Sequence, residues 1–189
     1  MEETKEYTFS KTEKRKELLS LRASVTDKIV KARAATDNIL PLLSGNVMVY
    51  IPIGSELSTL PLITALNDIS GVTLFAPHTA GDIITPKKLI SVGTADRYGN
   101  MPIDCYGDCG KIDICVTPLL GIDGKGYRLG YGKGCYDRFF AGFTGVKIGF
   151  CFSEQFTEFA HSAHDVPLDV CVTEKNVIYF SHASDCGKV

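Results

Sequence analysis

The chain sets four short, continuously apolar runs at wide intervals: VMVYIPI (47–53), GVTLFAP (71–77), KIDICVTPLLGID (111–123) and VKIGFCF (146–152). They are rich in β-branched and aromatic residues and punctuated by glycine or proline, which is how a strand reads when both of its faces are buried. Segments of helical spacing lie between them. STLPLITALND carries Leu62, Leu66 and Ile69 at that spacing, with Ser58 as a cap. SEQFTEFAHSA predicts a further short helix, and DVCVTEKNVIYF a strand, a turn and a strand. Buried strands alternating with helices predict an α/β fold, a single three-layer domain over residues 1–189 with a mostly parallel central sheet covered by helices. A length of 189 residues, without repeats or a low-complexity linker, suits one core. Residues 77–111 have little periodicity and much Gly, Pro and Asp, so they read as loops and short strands.

Residues 10–33 read as one helix. At 100° per residue Leu18, Val25 and Ile29 form a stripe, and Lys11, Arg15 and Arg22 fall on the same side. The stripe that should meet the core thus begins as a row of cations. Two readings stand: a solvated end that overhangs the body, or first turns that project over a site holding negative charge.

A formal charge of −2 gives no reason to expect bulk nucleic-acid or membrane-surface binding. The polar start, MEETKEYTFSKTEKRKE, lacks an apolar leader segment, and VMVYIPI is too short to span a bilayer, so a cytoplasmic protein is expected. Seven cysteines, at 105, 109, 115, 135, 151, 171 and 186, are an odd number that suits reduced thiols. Cys105, Cys109 and Cys115 cluster, and His161 and His164 sit three apart, but there is no C-x2-C pair. Thiols packed as small hydrophobes are the better reading than zinc.

GYRLGYGKGCYDRFF (126–140) is the densest chemical signal. It follows the strand at 112–116, and in such folds ligands bind where loops gather at the carboxyl ends of strands. Gly124, Gly126, Gly130, Gly132 and Gly134 let main-chain N–H groups converge on one small volume, a geometry that suits phosphate oxygens. Tyr136, Phe139, Phe140 and Phe143 recur at helical spacing, so the loop runs into a helix whose dipole would favour an anion. Arg128 can fork onto phosphate and Lys133 can add a mobile charge. Asp137 suits either the dipole or a divalent cation. The loop is neither a Walker A motif, since Gly134 replaces its Ser or Thr, nor a dinucleotide fingerprint. On these grounds it is an anion-binding loop, with a tight structural turn as the competing account.

RLGYGKGCYDRFF resembles the signature of the 5-formyltetrahydrofolate cyclo-ligases, R-L-G-x-G-[GK]-G-Y-Y-D. The resemblance extends in the family's order through KTEKR (11–15), YIPIGSELST (50–59), DICVTPLLGIDGKGYRLG (113–130), GFCFSEQF (149–156) and HDVPLDVCVTEKNVIYF (164–180). Residues 76–110 match poorly. The resemblance implies ATP and magnesium as co-substrate and cofactor, small-molecule partners only, and a monomer or weak dimer. It implies ATP contacts from Lys11, Arg15, Arg128, Gly130, Gly132, Lys133, Gly134 and Tyr136, with Arg128 and Lys133 catalytic. Asp137 and Asp169 would serve magnesium, and Ile51, Glu56, Tyr131 and Cys135 would face the folate. Cys135 stands where the family has a tyrosine, and Tyr98 is a weak stand-in for an aromatic wall of the middle region. A non-catalytic folate- or nucleotide-binding protein is the alternative, and a third account takes the basic helix as an RNA contact.

Overall fold

A computed structural model describes residues 10–93, 103–108 and 110–181; Tyr98, Cys109 and Cys186 lie outside the described residues. The helix expected over 10–33 is two helices, α1 (Lys11–Ser24) and α2 (Lys28–Ile39). The break falls at Val25-Thr26-Asp27, where Asp27 takes a left-handed φ of 55° that no helix continues through. Ser10 and Glu13 cap α1 reciprocally. The break also undoes the expected stripe: Leu18 and Arg22 are buried, whereas Ile29, now on α2, is 72% exposed.

Strands β1 (Gly45–Val49) and β2 (Val72–Ala80) flank α3 (Leu60–Asn67). β1 is shorter than the apolar run 47–53, because the chain turns away after Val49 into the loop carrying Glu56. Thr59 rather than Ser58 is the residue before α3; its hydroxyl donates to the Tyr50 carbonyl at 2.7 Å. The segment expected as loops and short strands is instead an antiparallel extension of the sheet, β2 running into β3 (Ile83–Val92) and then β4 (Ile103–Asp108). Pro77 faces Pro86 across the β2–β3 ladder, a rung at which neither residue has an N–H to donate.

β5 (Ile114–Thr117) leads into a small hairpin, β6 (Gly121–Ile122) and β7 (Arg128–Leu129), and then the glycine loop and α4 (Cys135–Phe140). α4 stops short of Phe143, although that ring still packs 5.3 Å from Phe139 and 5.7 Å from Phe140. β8 (Val146–Phe150) is followed not by a helix over SEQFTEFAHSA but by one 3-10 turn, Ser153–Gln155. Gln155 is buried there and donates to the carbonyls of Leu119 and Leu120, which an exposed helix would not allow. β9 (Val170–Val172) and β10 (Val177–Tyr179) close the chain as the expected strand, turn and strand.

The sheet runs β10-β9-β8-β5-β1-β2-β3-β4, parallel from β9 through β2 and antiparallel at both ends. Alternation within single strands sorts its two faces. Val47, Val49, Ile114, Val116, Val170 and Val172 join Ala35 and Ile39 of α2 and Leu62 and Leu66 of α3 in one core. Met48, Cys115 and Cys171 point the other way and pack with Phe140 of α4 and with Leu119, Leu168 and Phe180. Layers on both faces of a largely parallel sheet are what the four apolar runs predict. α1 stands apart from both, packing Leu18 against Leu120 and Leu129 of the β6–β7 hairpin. Among the described residues no helix is long and apolar enough to cross a membrane.

Candidate active site

The parallel strands leave their carboxyl ends together, and the segments after β1 and β5 turn outward there. Between them, the glycine loop and the β2–β3 extension lies a cavity of about 750 Å³. Arg15, Ile51, Glu56, Arg128, Gly130, Tyr131, Gly132, Lys133, Gly134, Cys135, Tyr136 and Asp137 all line it. Pro77, Thr79, Ile84 and Ile103 supply the wall from the middle region.

The loop owes its path to left-handed glycines and to α1. Gly132 has φ of 100° and Gly134 φ of 67°, conformations that other L residues rarely take. A Cβ on Gly132 would stand 3.2 Å from Cζ of Arg15, so the guanidinium lies directly on the loop backbone. Arg15 also donates from Nε to the Gly130 carbonyl at 2.9 Å. The first turns of α1 therefore lie over the pocket, and the solvated-overhang account of its basic row does not hold for Arg15. Lys11, one turn earlier, does not line the cavity; its Nζ pairs with Asp165 at 2.6 Å and donates to Ser162 at 3.1 Å.

Arg128 is the buried cation of the site, 7% exposed. Its Nη2 meets Asp137 Oδ1 at 3.1 Å, its Nη1 donates to the Val166 carbonyl at 3.2 Å, and its Cζ lies 4.9 Å from the Phe140 ring centroid. Burial pushes the Arg128 pKa down, and Asp137 opposes that shift. Asp137 also accepts at 3.3 Å from the N–H of Val166, the residue that follows Asp165 in the chain. Asp165 lines the cavity. Burial would raise its pKa, but the Lys11 hydrogen bond and the Ser162 N–H outweigh that and hold it below the ordinary value.

Asp169, expected as the second metal carboxylate, is not brought to the cavity. Its Oδ2 accepts from the Lys147 N–H at 2.7 Å and pairs with Lys147 Nζ at 2.8 Å, at the amino ends of β8 and β9. The two acids of HDVPLD are four residues apart on a nearly extended segment, which can separate them by about 13 Å. Asp165 of that same motif is the one that reaches the pocket. The motif and a strand at DVCV can both be read from the sequence; the parallel pairing of β9 with β8, which assigns the second acid to the far end of the sheet, cannot.

In the loop after β1, Glu56 is 7% exposed and firmly held. Its Oε2 accepts from the Ile53 N–H at 2.9 Å and its Oε1 from the Tyr131 hydroxyl at 3.2 Å. Burial raises its pKa, against the pull of the Ile53 N–H, Arg22 and Tyr131. Tyr131 is likewise raised, first by burial. Cys135 is half-buried at the start of α4.

Two carboxylates beside a buried arginine fit a hard, phosphate-bound cation, which typically takes one or two protein carboxylates. Asp137 and Asp165 line the cavity and have that donor chemistry, each paired with a cation, Arg128 and Lys11; Asp169, paired with Lys147, does not line it. A glycine loop, a clamp of cations and a buried carboxylate in one cavity at the carboxyl ends of parallel strands fit an α/β enzyme that takes small-molecule ligands. The model of the 5-formyltetrahydrofolate cyclo-ligase family matches residues 7–174, and the chain belongs to that family. A 5-formyltetrahydrofolate cyclo-ligase of Mycolicibacterium smegmatis is 30% identical over 148 residues, 68% of this chain and 74% of the relative. One of Mycoplasma genitalium is 27% identical over 161 residues, 84% of this chain and 90% of the relative. The NMR structure of Aquifex aeolicus 5,10-methenyltetrahydrofolate synthetase superposes with a TM-score of 0.75 at 31% identity, covering 90% of this chain and 93% of that one. The synthetase from Mycoplasma pneumoniae shares the fold, with a TM-score of 0.71 at 24% identity over 88% of this chain and 99% of that one.

Proposed function

We propose that this chain converts 5-formyltetrahydrofolate and ATP into 5,10-methenyltetrahydrofolate, ADP and phosphate. The observation that carries the reading is a single cavity lined both by the charged groups Arg128, Lys133, Asp137 and Asp165 and by the buried acceptor Glu56, to which Tyr131 of the glycine loop donates.

The formyl oxygen on N5 is a poor leaving group. In the reaction it attacks the γ-phosphorus of ATP and ADP departs, giving an imidate phosphate. The N10 lone pair then attacks the formyl carbon, the carbon–oxygen bond breaks with loss of phosphate, and N10 gives up its proton. Such a sequence asks a protein for alignment and for charge stabilisation of the moving phosphoryl group. Arg128 is suited to this because its burial makes each interaction with developing charge stronger than it would be in water. Lys133, at the exposed tip, can follow the phosphate as a mobile charge. Arg15, Gly132 and Gly134 frame the phosphate side, and Tyr136 walls it. Asp137 and Asp165 would hold magnesium, which supplies neutralisation of phosphate charge when bound. Ionised Glu56 accepts hydrogen bonds from the pterin's amino and ring N–H groups, with Ile51, Tyr131 and Cys135 beside it.

The test is to mix purified protein with 5-formyltetrahydrofolate, ATP and magnesium and to follow the absorbance of the methenyl product. Product that requires all three additions supports the reading. Binding of both ligands to folded protein without product would leave the non-catalytic alternative in its place.

A further inference from the structure

Arg22 belongs to none of the roles above, yet it is among the largest fully buried side chains of the described residues, 1% exposed. It reaches from α1 into the seam between the loop after β1 and the glycine loop. Its Nε donates to Ser55 Oγ at 3.1 Å and its Nη1 to the Leu119 carbonyl at 3.3 Å. Nη1 also lies 3.8 Å from Glu56 Oε1, and Nη2 donates to the Tyr131 hydroxyl. That hydroxyl passes its own proton on to Glu56 Oε1 at 3.2 Å, and the Arg22 guanidinium lies 5.5 Å from the Tyr131 ring centroid. One planar fork thus ties together the loop after β1, the segment after β5 and the glycine loop.

Stability is a weak account of this arrangement. A buried ion pair commonly returns less than its desolvation costs, and well-packed apolar residues in its place are often neutral or stabilising. Leu18, one turn earlier on the same helix, shows that this face of α1 accepts an apolar side chain. We propose that Arg22 is a positioning residue for the folate side of the pocket, holding the Glu56 carboxylate and the Tyr131 hydroxyl in the arrangement that leaves carboxylate lone pairs free for the pterin. The inference rests on the reading of Glu56 as the folate-facing acid.

The chemistry explains why a cation is needed at this place. Pterin amino and ring N–H groups are donors, so they require an acceptor-only partner, and a protonated carboxyl would set an O–H against them. Burial favours the protonated form of Glu56, and Tyr50 from the end of β1 and Tyr136 from α4 add no positive charge. Arg22 does, while its link to Tyr131 aims that hydroxyl at Oε1, so that the hydroxyl does not compete as an acceptor.

Calorimetric titration of 5-formyltetrahydrofolate and, separately, of ATP into the unaltered protein, Arg22→Met, Arg22→Lys and Tyr131→Phe tests this between slightly acid and slightly alkaline pH. In Arg22→Met the folate Kd rises roughly tenfold to a hundredfold, the scale of a lost charge-assisted contact, while the ATP Kd is unchanged. The loss deepens toward acid pH. Arg22→Lys keeps the charge without the fork, so it recovers the pH dependence of the unaltered protein and only part of the affinity. Tyr131→Phe shows a smaller loss in the same direction. Equal weakening toward both ligands, or Arg22→Lys with the acid-sensitive loss of Arg22→Met, would show a merely structural role and overturn the proposal. If Arg22→Met does not fold, Arg22→Lys and Tyr131→Phe decide: unchanged folate affinity in both overturns it. Failure of the unaltered protein to bind 5-formyltetrahydrofolate defeats the functional reading itself, whereas binding that ignores Arg22 defeats only this inference.

Discussion

Asp137→Asn separates the pairing with Arg128 that the structure shows from the magnesium role proposed for the same carboxylate. Asp137 is the counter-charge of Arg128, whose side chain is 4% exposed, and it is one of two acids suited to a cation. Breaking a buried pair from one side typically costs about 3–5 kcal/mol. Asp137 is itself 27% exposed, and the Val166 carbonyl still accepts from Arg128, so solvent screening brings the cost to or below the foot of that range, about 2–3 kcal/mol. For a chain of this size each kcal/mol moves Tm by about 2–4 °C, which predicts a fall of roughly 5–10 °C without ligand. ATP added with a chelator in place of magnesium then offers Arg128 a new counter-charge. Its stabilising shift, set by affinity for the folded state, is therefore larger in the variant than in the unaltered protein. With magnesium present the order reverses, because a carboxylate suited to the cation is gone. Thermal unfolding with ATP under both conditions reads all of this. A variant as stable as the unaltered protein, with the same ATP shift in chelator, would refute the coupling of Asp137 to Arg128.

Three further outcomes follow from the same geometry. Asp169→Asn loses stability through the broken Lys147 contacts but keeps its turnover, because those contacts lie at the amino ends of the strands; loss of turnover in stably folded variant would return Asp169 to the site. Gly126→Ala places a Cβ 2.8 Å from the Phe180 ring and 2.9 Å from the Leu168 carbonyl at a φ of 85°. Left-handed strain and overpacking together cost roughly 2–4 kcal/mol, seen as a lower urea midpoint at unchanged m. Lys11→Met removes the partner that keeps Asp165 below its ordinary pKa of 3.8. A depressed carboxylate contributes stability above its unfolded pKa and loses it as pH falls through the folded one. The urea stability difference between unaltered and variant protein is thus constant near neutrality and shrinks below about pH 4; a difference that persists at lower pH would assign Lys11 another role.

The sheet was legible because its parallel strands announce burial on both faces: Val47, Met48 and Val49 are all apolar although they point to alternate cores. β3 and β4 carry no such signal. β3 alternates only loosely between exposed and buried positions, and Pro77 opposite Pro86 argues locally against the ladder that tertiary pairing nonetheless forms. The glycine loop could be read in sequence because the residues it brings to the cavity are contiguous, from Arg128 to Asp137. Asp165 could not be told from Asp169 without knowing that β9 runs parallel to β8, which leaves its start, and Asp169 with it, at the amino ends of the strands. Arg22 was visible as the third cation of a row, but its meaning depends on the break at Asp27. Had residues 10–33 formed one straight helix, the stripe would have carried Ile29 into the core as well, beyond Val25, which packs partly buried against it. With the turn, α1 ends just past Arg22, Ile29 goes to solvent, and the arginine is left as the last buried side chain that α1 presents, opposite Glu56. A single left-handed residue thus decides whether a basic row is read as surface or as support for the pocket, and local spacing, which assumes unbroken periodicity, has no means of expressing that choice.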